Sequence, residues 1–264
     1  MIHVSSCCKS YGGYAVLDNV SFDVRRGEMF GVIGPNGSGK STLLRLLSGL
    51  EPASGGTVAV DGRPVASYKR KELARWLAVL QQDALPPTGF SVREIVEMGR
   101  FPYQNWLGEE PEDKSELIES VMARLGLTPL AGHSVESLSG GERQRTALAK
   151  VMVQQPKLLL LDEPTTYLDI GYQIQLMDSI RSWQKEADLT VIAVLHDLNL
   201  AAQYCNRIMI IHGGRVVRIG KPEDVIVPET IDPVYGARTT VLPHPVTGTP
   251  QVLLNPSERF STEK

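Results

Sequence analysis

Short apolar runs alternate with helical patterns along most of the chain. The runs at 29–33 (MFGVI), 158–161 (LLLL) and 191–195 (VIAVL) are too short for helices and are typical of buried strands. A helical pattern follows the first run, from about 40 to 50, and the stretch from about 91 to 155 is mostly helical. Strand patterns then return, as KLLLLD, TVIAVL, RIMIIH and RVVRIG. The sequence therefore predicts an α/β core interrupted by a helical insert, hence two lobes.

The composition of the chain is that of a globular protein. Its 264 residues are 42% hydrophobic and 22% charged, which excludes a disordered or fibrous chain. The formal net charge of -3 gives no global sign of a nucleic-acid binder. The three cysteines form no C-x-x-C pair, so we expect reduced thiols in a cytosolic protein, with Cys7 and Cys8 on a strand.

The two ends of the chain and its apolar runs bear on membrane attachment. The first ten residues contain no apolar signal core, and no run approaches the about 18 apolar residues that a membrane span needs. We therefore expect a soluble protein that can still dock on a membrane protein. The last stretch, about 221 to 264, is rich in proline. Pro243, Pro245 and Pro250 favour a surface extension over a helix there.

Residues 34 to 41 (GPNGSGKS) match the phosphate-binding pattern G-x-x-x-x-G-K-[ST]. A predicted strand precedes the pattern and a predicted helix follows it, which is the context that the pattern requires. Glycines let backbone N–H groups point at phosphate oxygens, and the helix adds a positive dipole end. We expect Lys40 to reach the β and γ phosphates and the Ser41 hydroxyl to bind Mg²⁺. The predicted nucleotide-binding residues are Gly34, Pro35, Asn36, Gly37, Ser38, Gly39, Lys40, Ser41 and Thr42.

A second candidate site follows the apolar run at 158–161, which ends in Asp162-Glu163-Pro164. A carboxylate at the end of a buried strand is what Mg²⁺ coordination beside a phosphate loop requires, so Asp162 is a predicted metal ligand. The neighbouring Glu163 can polarise an attacking water. The alternative is that both carboxylates only cap a turn.

A third segment, Leu138-Ser139-Gly140-Gly141-Glu142, opens a predicted helix and forms a second candidate anion site. One nucleotide does not need both helix ends if they lie in different lobes. The economical interpretation is a dimer in which this segment closes over the nucleotide of the partner. The alternative is an N-capped helix with no ligand.

The three segments in this order resemble those of the ATP-binding cassette (ABC) family, with Glu142 where Gln is more usual. The resemblance implies a P-loop NTPase cassette with a RecA-like core, an antiparallel β subdomain and an inserted helical subdomain. We expect one ATPase domain over 1–240, with the core at about 1–85 and 156–240 and the helical subdomain at about 86–155, followed by a C-terminal extension at 241–264.

The resemblance also assigns roles outside these segments. It implies that Tyr11 stacks on adenine, with Tyr14 as the alternative, since an aromatic residue is expected before the phosphate loop. It implies that Gln81, or Gln82 one position later, reaches Mg²⁺ or the attacking water and reports the nucleotide state to the helical lobe. The metal ligands implied are therefore Ser41, Gln81 and Asp162.

The remaining implied roles concern the partner subunit and the γ-phosphate. Ser139, Gly140 and Gly141 are expected to contact the γ-phosphate that the other subunit binds. The loop at 166–169, in which Tyr167 replaces a small residue, is expected to cross the dimer interface with Asp169, although Asp169 can also be a plain helix cap. His196 matches the histidine that hydrogen-bonds the γ-phosphate. The expected catalytic residues are Glu163, His196 and Gln81, and the expected ligands are ATP and Mg²⁺.

The resemblance leaves three kinds of cassette protein to consider: a DNA-repair protein, a ribosome-acting protein and a transporter ATPase. A repair protein with coiled-coil arms does not fit into 264 residues, and ribosome-acting cassettes usually carry two phosphate loops, whereas this chain has one. A transporter ATPase is favoured, as a homodimer on membrane-spanning permease subunits at the cytoplasmic face of the membrane, linked indirectly to a substrate-binding protein and to no nucleic acid.

The cargo is a further step. The stretches 91–108, 166–180 and 243–252 resemble those of importer ATPases for iron-siderophore, haem and vitamin B12, and we rank iron-siderophore first. A soluble ABC ATPase acting on the ribosome or nucleic acid, and another class of ABC transporter, remain alternatives. The cluster of Phe101, Pro102, Tyr103 and Trp106 is either a patch that receives a helix of a membrane subunit or a small core of the helical lobe.

Overall fold

The computed structural model describes residues 1–81, 85, 89–166 and 168–256, so Gln82 and Tyr167 lie outside the described residues. The strands are β1 Ile2–Tyr11, β2 Tyr14–Val24, β3 Met29–Ile33, β4 Gly55–Val60, β5 Arg63–Pro64, β6 Leu77–Leu80, β7 Leu158–Asp162, β8 Thr190–Val194, β9 Arg207–His212, β10 Arg215–Gly220, β11 Arg238–Pro243 and β12 Pro250–Asn255. The helices are α1 Lys40–Leu47, α2 Arg70–Trp76, α3 Val92–Glu97, α4 Ser115–Arg124, α5 Gly140–Val153, α6 Ile170–Glu186, α7 Leu198–Tyr204, α8 Pro222–Val225 and α9 Pro228–Tyr235.

The chain divides into two compact units, residues 1–66 with 190–264, and residues 67–189. The first unit holds a sheet in the order β10-β9-β3-β8, in which β3 is parallel to both β9 and β8. Every residue of β3 and β8 is buried, which explains why both read as continuous apolar runs without alternation.

A second, antiparallel sheet of the first unit has the order β2-β1-β4-β5. Cys7 and Cys8 lie on its strand β1, as predicted, and both are free thiols. The rings of Phe22 on β2 and Phe30 on β3 stack with centroids 5.5 Å apart. This aromatic contact packs the antiparallel sheet against the parallel one within the same unit.

The second unit pairs β6 with β7 in parallel and surrounds them with helices α2 to α6. Helix α3 and the following 3-10 turn approach α5 closely, since a Cβ on Gly99 would lie 2.1 Å from the carbonyl oxygen of Lys150. Within the stretch predicted to be mostly helical, Ser115–Arg124 forms α4, and Gly126 after it takes a left-handed φ of 66°. No helix among the described residues is both long enough and apolar enough to cross a bilayer.

The proline-rich stretch from about 221 contains two helices that the sequence did not predict. Pro222 and Pro228 each occupy the first turn of a helix, α8 and α9, where the missing N–H of proline leaves no hydrogen bond unmade. Pro243 and Pro250 pair with each other at the turn end of the hairpin β11–β12, so this part is non-helical as predicted. The hairpin is held to α7, because the N–H of Val252 donates to Asn199 Oδ1 at 2.7 Å. The predicted domain boundaries stay a prediction.

Candidate functional site

The phosphate loop spans residues 34–39, between β3 and α1 of the first unit. Gly34 has a φ of 153°, and a Cβ at this position would lie 2.1 Å from the carbonyl oxygen of Ile211. Gly39 has a φ of 103°, and its Cβ would lie 2.6 Å from a methyl carbon of Leu17. Both positions therefore require glycine for conformation and for space. The loop curls at the carboxyl edge of the parallel strands, where α/β proteins bind ligands.

Two buried polar side chains show that this loop fits a phosphate. Lys40 is only 4% exposed, and its ammonium donates to the carbonyl oxygens of Gly34 at 2.8 Å and Pro35 at 2.9 Å. The hydroxyl of Ser38 is buried and makes no hydrogen bond to any residue that the structure describes. A buried cation that spans its own loop, together with an unsatisfied hydroxyl, is a set of donors suited to an anionic ligand. Of the remaining predicted residues, Asn36 and Gly37 are exposed at the loop tip, and Ser41 and Thr42 begin α1.

His196 lies at the same edge as the phosphate loop. The strands β3 and β8 are parallel neighbours with Val32 opposite Val194, and the N–H of Leu195 donates to the carbonyl oxygen of Val32 at 3.2 Å. Gly34 comes two residues after Val32, and His196 comes two residues after Val194. The structure therefore brings both to the same edge of the sheet. The adjacent Asp197 caps α7 by accepting from two backbone N–H groups, which fixes the backbone after His196.

The two candidate adenine-stacking tyrosines face each other across the β1–β2 turn. Tyr11 is held by a hydrogen bond from its hydroxyl to Glu51 and by Lys9, whose ammonium lies 4.9 Å from the ring centroid. Tyr14 is 77% exposed. Strand β2 reaches the phosphate loop, since the carbonyl oxygen of Val16 would lie 3.0 Å from a Cβ on Gly39. The hairpin that carries both tyrosines therefore contacts the phosphate loop through β2, and the choice between the two rings stays a prediction.

In the second unit, the structure brings Gln81 and Asp162 to one edge. The strands β6 and β7 are parallel with Leu80 opposite Leu161, so the exposed Gln81 and Asp162 are the next residues along each strand. Glu163 follows with a left-handed φ of 51°. That conformation costs a residue with a side chain about 1–2 kcal/mol. Strain of this kind gathers at functional sites. Asp188 of this unit also has a left-handed φ, of 49°, so the strain supports a role for Glu163 only together with its place directly after β7.

The predicted anion-binding segment is the N-terminus of α5. Ser139 is the N-cap, is exposed, and forms a capping box with Glu142. The hydrogen bond from the Ser139 hydroxyl, followed by that from its backbone N–H, lowers the pKa of Glu142. Asp169 likewise caps α6 by accepting from the N–H of Tyr172 at 3.1 Å. The capping alternatives for Ser139 and Asp169 are therefore present in the structure, and a cap that remains exposed can still contact a ligand.

Sequence reasoning missed three residues around these segments. Gln144 donates from Nε2 to the carbonyl oxygen of Pro164 at 3.0 Å, which ties α5 to the loop after β7. The ring of Tyr172 packs on Gly141, since a Cβ there would lie 2.8 Å from the ring. In the first unit, burial raises the pKa of Tyr235 to about 12, and the nearby backbone of Gly34 acts weakly against this rise. No local pattern marks Gln144 or Tyr235, because their partners are distant in sequence.

Comparison with known proteins agrees with this geometry. Residues 17–166 match the ABC transporter family. The chain belongs to the ABC transporter family. The ferric enterobactin transport ATP-binding protein FepC of Escherichia coli is 40% identical over 243 residues, which cover 92% of this chain and 90% of that protein. The hemin import ATP-binding protein HmuV of Streptomyces coelicolor is 44% identical over 238 residues, which cover 90% of this chain and 84% of that protein.

A solved structure gives the same answer. The ATP-binding cassette MJ0796, solved as a dimer in a post-hydrolysis state bound to ADP and Pi, superposes with a TM-score of 0.73 at 27% identity, covering 84% of this chain and 98% of that one. The expected fold class is therefore confirmed: the protein is an ABC cassette, and it is an ATPase subunit that binds ATP. The roles of its single residues remain predictions.

Proposed function

We propose that this ABC ATPase powers the import of iron-siderophore complexes, as the paired nucleotide-hydrolysing subunits of a transporter. The observation that carries the proposal is the likeness to FepC, a ferric enterobactin transport protein, over nearly the full length of both chains. In this assignment the chain sits at the cytoplasmic face of the membrane, bound to permease subunits. A substrate-binding protein takes part only indirectly.

The first unit binds the nucleotide. The ring of Tyr11 or Tyr14 stacks on adenine beside the phosphate loop. Lys40 exchanges the two loop carbonyls for phosphate oxygens, a change from neutral acceptors to charged ones that strengthens its hydrogen bonds. His196 donates to the γ-phosphate from the same edge of the sheet. These groups act by position and charge, which is how most of the catalysis of phosphoryl transfer arises.

The second unit supplies the groups around the metal and the attacking water. In this unit the amide oxygen of Gln81 and the carboxylate of Asp162 are oxygen ligands of the kind that suits Mg²⁺, as is the hydroxyl of Ser41 in the first unit. When bound, Mg²⁺ neutralises phosphate charge that develops during hydrolysis. Glu163, which directly follows β7, accepts a hydrogen bond from the attacking water.

The α5 N-terminus completes the site of the partner protomer. Ser139 and Gly140 are exposed at this helix end, Gly141 is buried behind them, and Asp169 is the N-cap of α6. The dimeric cassette MJ0796 supports pairing as the arrangement. Two chains, head to tail, then hold two ATP molecules between them.

The docking surface for the permease is the exposed aromatic segment after α3. The predicted cluster splits in the structure. Tyr103 belongs to the local core, since its hydroxyl donates to the carbonyl oxygen of Gln154 and its ring lies 3.9 Å from the Arg100 guanidinium carbon. Trp106 is 89% exposed and Phe101 is 54% exposed, beside Leu107. An exposed apolar patch of this size suits a cytoplasmic helix of a membrane subunit.

The test of the catalytic assignment is Glu163→Gln. We expect this variant to bind ATP but not to turn it over, so that sedimentation detects a dimer with Mg-ATP and a monomer with Mg-ADP. Ser139→Arg, in contrast, is expected to abolish hydrolysis and leave nucleotide binding by the monomer intact. Unchanged hydrolysis in Glu163→Gln would remove Glu163 from its role, and lost ATP binding in Ser139→Arg would show that the partner arrangement is wrong.

The test of the cargo is uptake. A strain lacking this gene should lose uptake of an iron-labelled siderophore and regain it from the wild-type gene but not from Glu163→Gln. Haem is the second candidate, since the HmuV relative is 44% identical. Loss of haem uptake with intact siderophore uptake would favour that second candidate.

A further inference from the structure

The hydroxyl of Ser139 is already bonded within its own chain. Its hydrogen is donated to Glu142 Oε2 at 2.7 Å, and the backbone N–H of Ser139 donates to the same oxygen at 2.8 Å. In return the Ser139 oxygen accepts from the N–H of Glu142 at 3.4 Å. The Arg145 guanidinium adds positive charge near the carboxylate and helps to lower the pKa of Glu142.

This arrangement limits what Ser139 can offer to a phosphate. A serine hydroxyl has one hydrogen, and an ionised carboxylate has only acceptors. While Glu142 holds that hydrogen, the exposed side of Ser139 presents an oxygen lone pair, which a phosphate oxygen does not bind. To donate to a phosphate, the hydroxyl must turn away from Glu142 and give up a charge-assisted hydrogen bond.

We propose that Glu142 sets the threshold for ATP-driven pairing by holding the hydrogen of Ser139 in the unpaired protomer. The proposal rests on the function proposed above, in which Ser139 reaches the γ-phosphate bound by the partner. Glu142 is a positioning residue, since it acts on the phosphate through Ser139. Its carboxylate caps the N-terminus of α5 and at the same time weakens the hydrogen bond that Ser139 can donate to the γ-phosphate.

The decisive change is Glu142→Gln. The amide oxygen can still accept both hydrogen bonds of the capping box, but as a neutral acceptor it holds the Ser139 hydrogen less tightly. The difference between a charged and a neutral acceptor corresponds to about a fivefold change in equilibrium constant. Because a dimer contains two such contacts, we expect its dissociation constant to fall about 25-fold, twice the effect in free energy.

A matched control exists in the same unit. The capping box of α3 has nearly identical geometry, with the Ser91 hydroxyl donating to Glu94 Oε2 at 2.7 Å and the Ser91 N–H donating to the same oxygen at 2.8 Å. Glu94→Gln weakens a helix cap in the same way, but no nucleotide is expected at Ser91. Both substitutions should therefore lower the urea midpoint of unfolding to a similar extent, and only Glu142→Gln should strengthen pairing.

The experiment measures the dimer dissociation constant by sedimentation in saturating Mg-ATP, with Glu163→Gln as the parent to prevent hydrolysis. We compare the parent with Glu142→Gln and with Glu94→Gln. We also compare Ser139→Ala with the Ser139→Ala/Glu142→Gln double variant. We expect tighter pairing for Glu142→Gln, no change for Glu94→Gln, and less than about a twofold effect of Glu142→Gln once the hydroxyl is absent.

Two results would overturn the proposal in different ways. Pairing that is unchanged or weaker in Glu142→Gln, while the parent still dimerises, overturns the role of Glu142 and leaves the proposed function standing. The same conclusion follows if Glu94→Gln strengthens pairing equally. Failure of the parent to dimerise with Mg-ATP at any protein concentration overturns the proposed function itself, and the role of Glu142 with it.

Discussion

The two glycines at the start of α5 should respond oppositely to alanine. A Cβ on Gly141 would lie 2.8, 2.9 and 3.2 Å from three ring carbons of Tyr172, whereas a Cβ on Gly140 would have no atom within 4 Å. Overpacking costs about 1–3 kcal/mol, and replacing a helical glycine by alanine recovers about 0.4–1 kcal/mol. We therefore expect Gly141→Ala to destabilise the protein by about 1 kcal/mol and Gly140→Ala to stabilise it by about 0.5 kcal/mol.

Urea unfolding of the full chain, followed by circular dichroism, measures both values. Tyr172→Ala removes the ring, so Gly141→Ala in that background should become neutral or stabilising. This second measurement separates the ring contact from any other effect of the methyl group. Equal changes for Gly140→Ala and Gly141→Ala, or the same cost of Gly141→Ala with and without the ring, would refute the packing explanation.

Three further predictions concern other parts of the molecule. Lys40→Ala should weaken ATP binding at least about tenfold in a fluorescent-nucleotide titration, because a charge-assisted contact is lost; affinity within twofold of wild type would contradict this. Glu110→Gln should lower the free energy of unfolding in urea by about 3 kcal/mol, because it leaves the buried Arg100 without its partner charge. Glu112→Gln, which removes the charge from the exposed pair of Glu112 and Lys114, should leave that free energy unchanged within error. Burial raises the pKa of Tyr235 to about 12 in the folded protein, against 10.0 for an ordinary tyrosine, so above pH 10 its ionisation favours the unfolded chain. Between pH 8 and pH 10.5, Tyr235→Phe should therefore lose less free energy of unfolding than the wild type. Equal losses in the two proteins would contradict the burial of this hydroxyl.

The sequence predicted the parts of the site that are local in the chain. The phosphate loop, its flanking strand and helix, and the acidic end of β7 each follow from a pattern within about a dozen residues, since an apolar strand, glycines and a helix start are all encoded there. At 139–142 the sequence left an N-capped helix open as the alternative to an anion site. The capping box with Glu142, and its competition with a phosphate, became visible only with the hydrogen bonds.

What the sequence could not show depends on pairs that are distant along the chain. Tyr172 packs on Gly141, and Tyr235 lies beside Gly34, but neither pair has a local signal. The helices α8 and α9 were not predicted, although Pro222 and Pro228 stand in the first helical turn, where proline is favourable. The strain at Glu163 is likewise a property of the folded backbone alone.

Mixing two inactive variants tests most directly whether two chains share each ATP. Lys40→Ala disables the phosphate loop, and Ser139→Arg disables the segment that closes over the partner, so neither homodimer should hydrolyse ATP. In a mixed dimer, the intact loop of one chain meets the intact Ser139 of the other and rebuilds one site. The account predicts that the mixture hydrolyses ATP faster than the sum of the two variants measured separately, with a rate that rises with protein concentration. A mixture no more active than that sum would contradict the shared site.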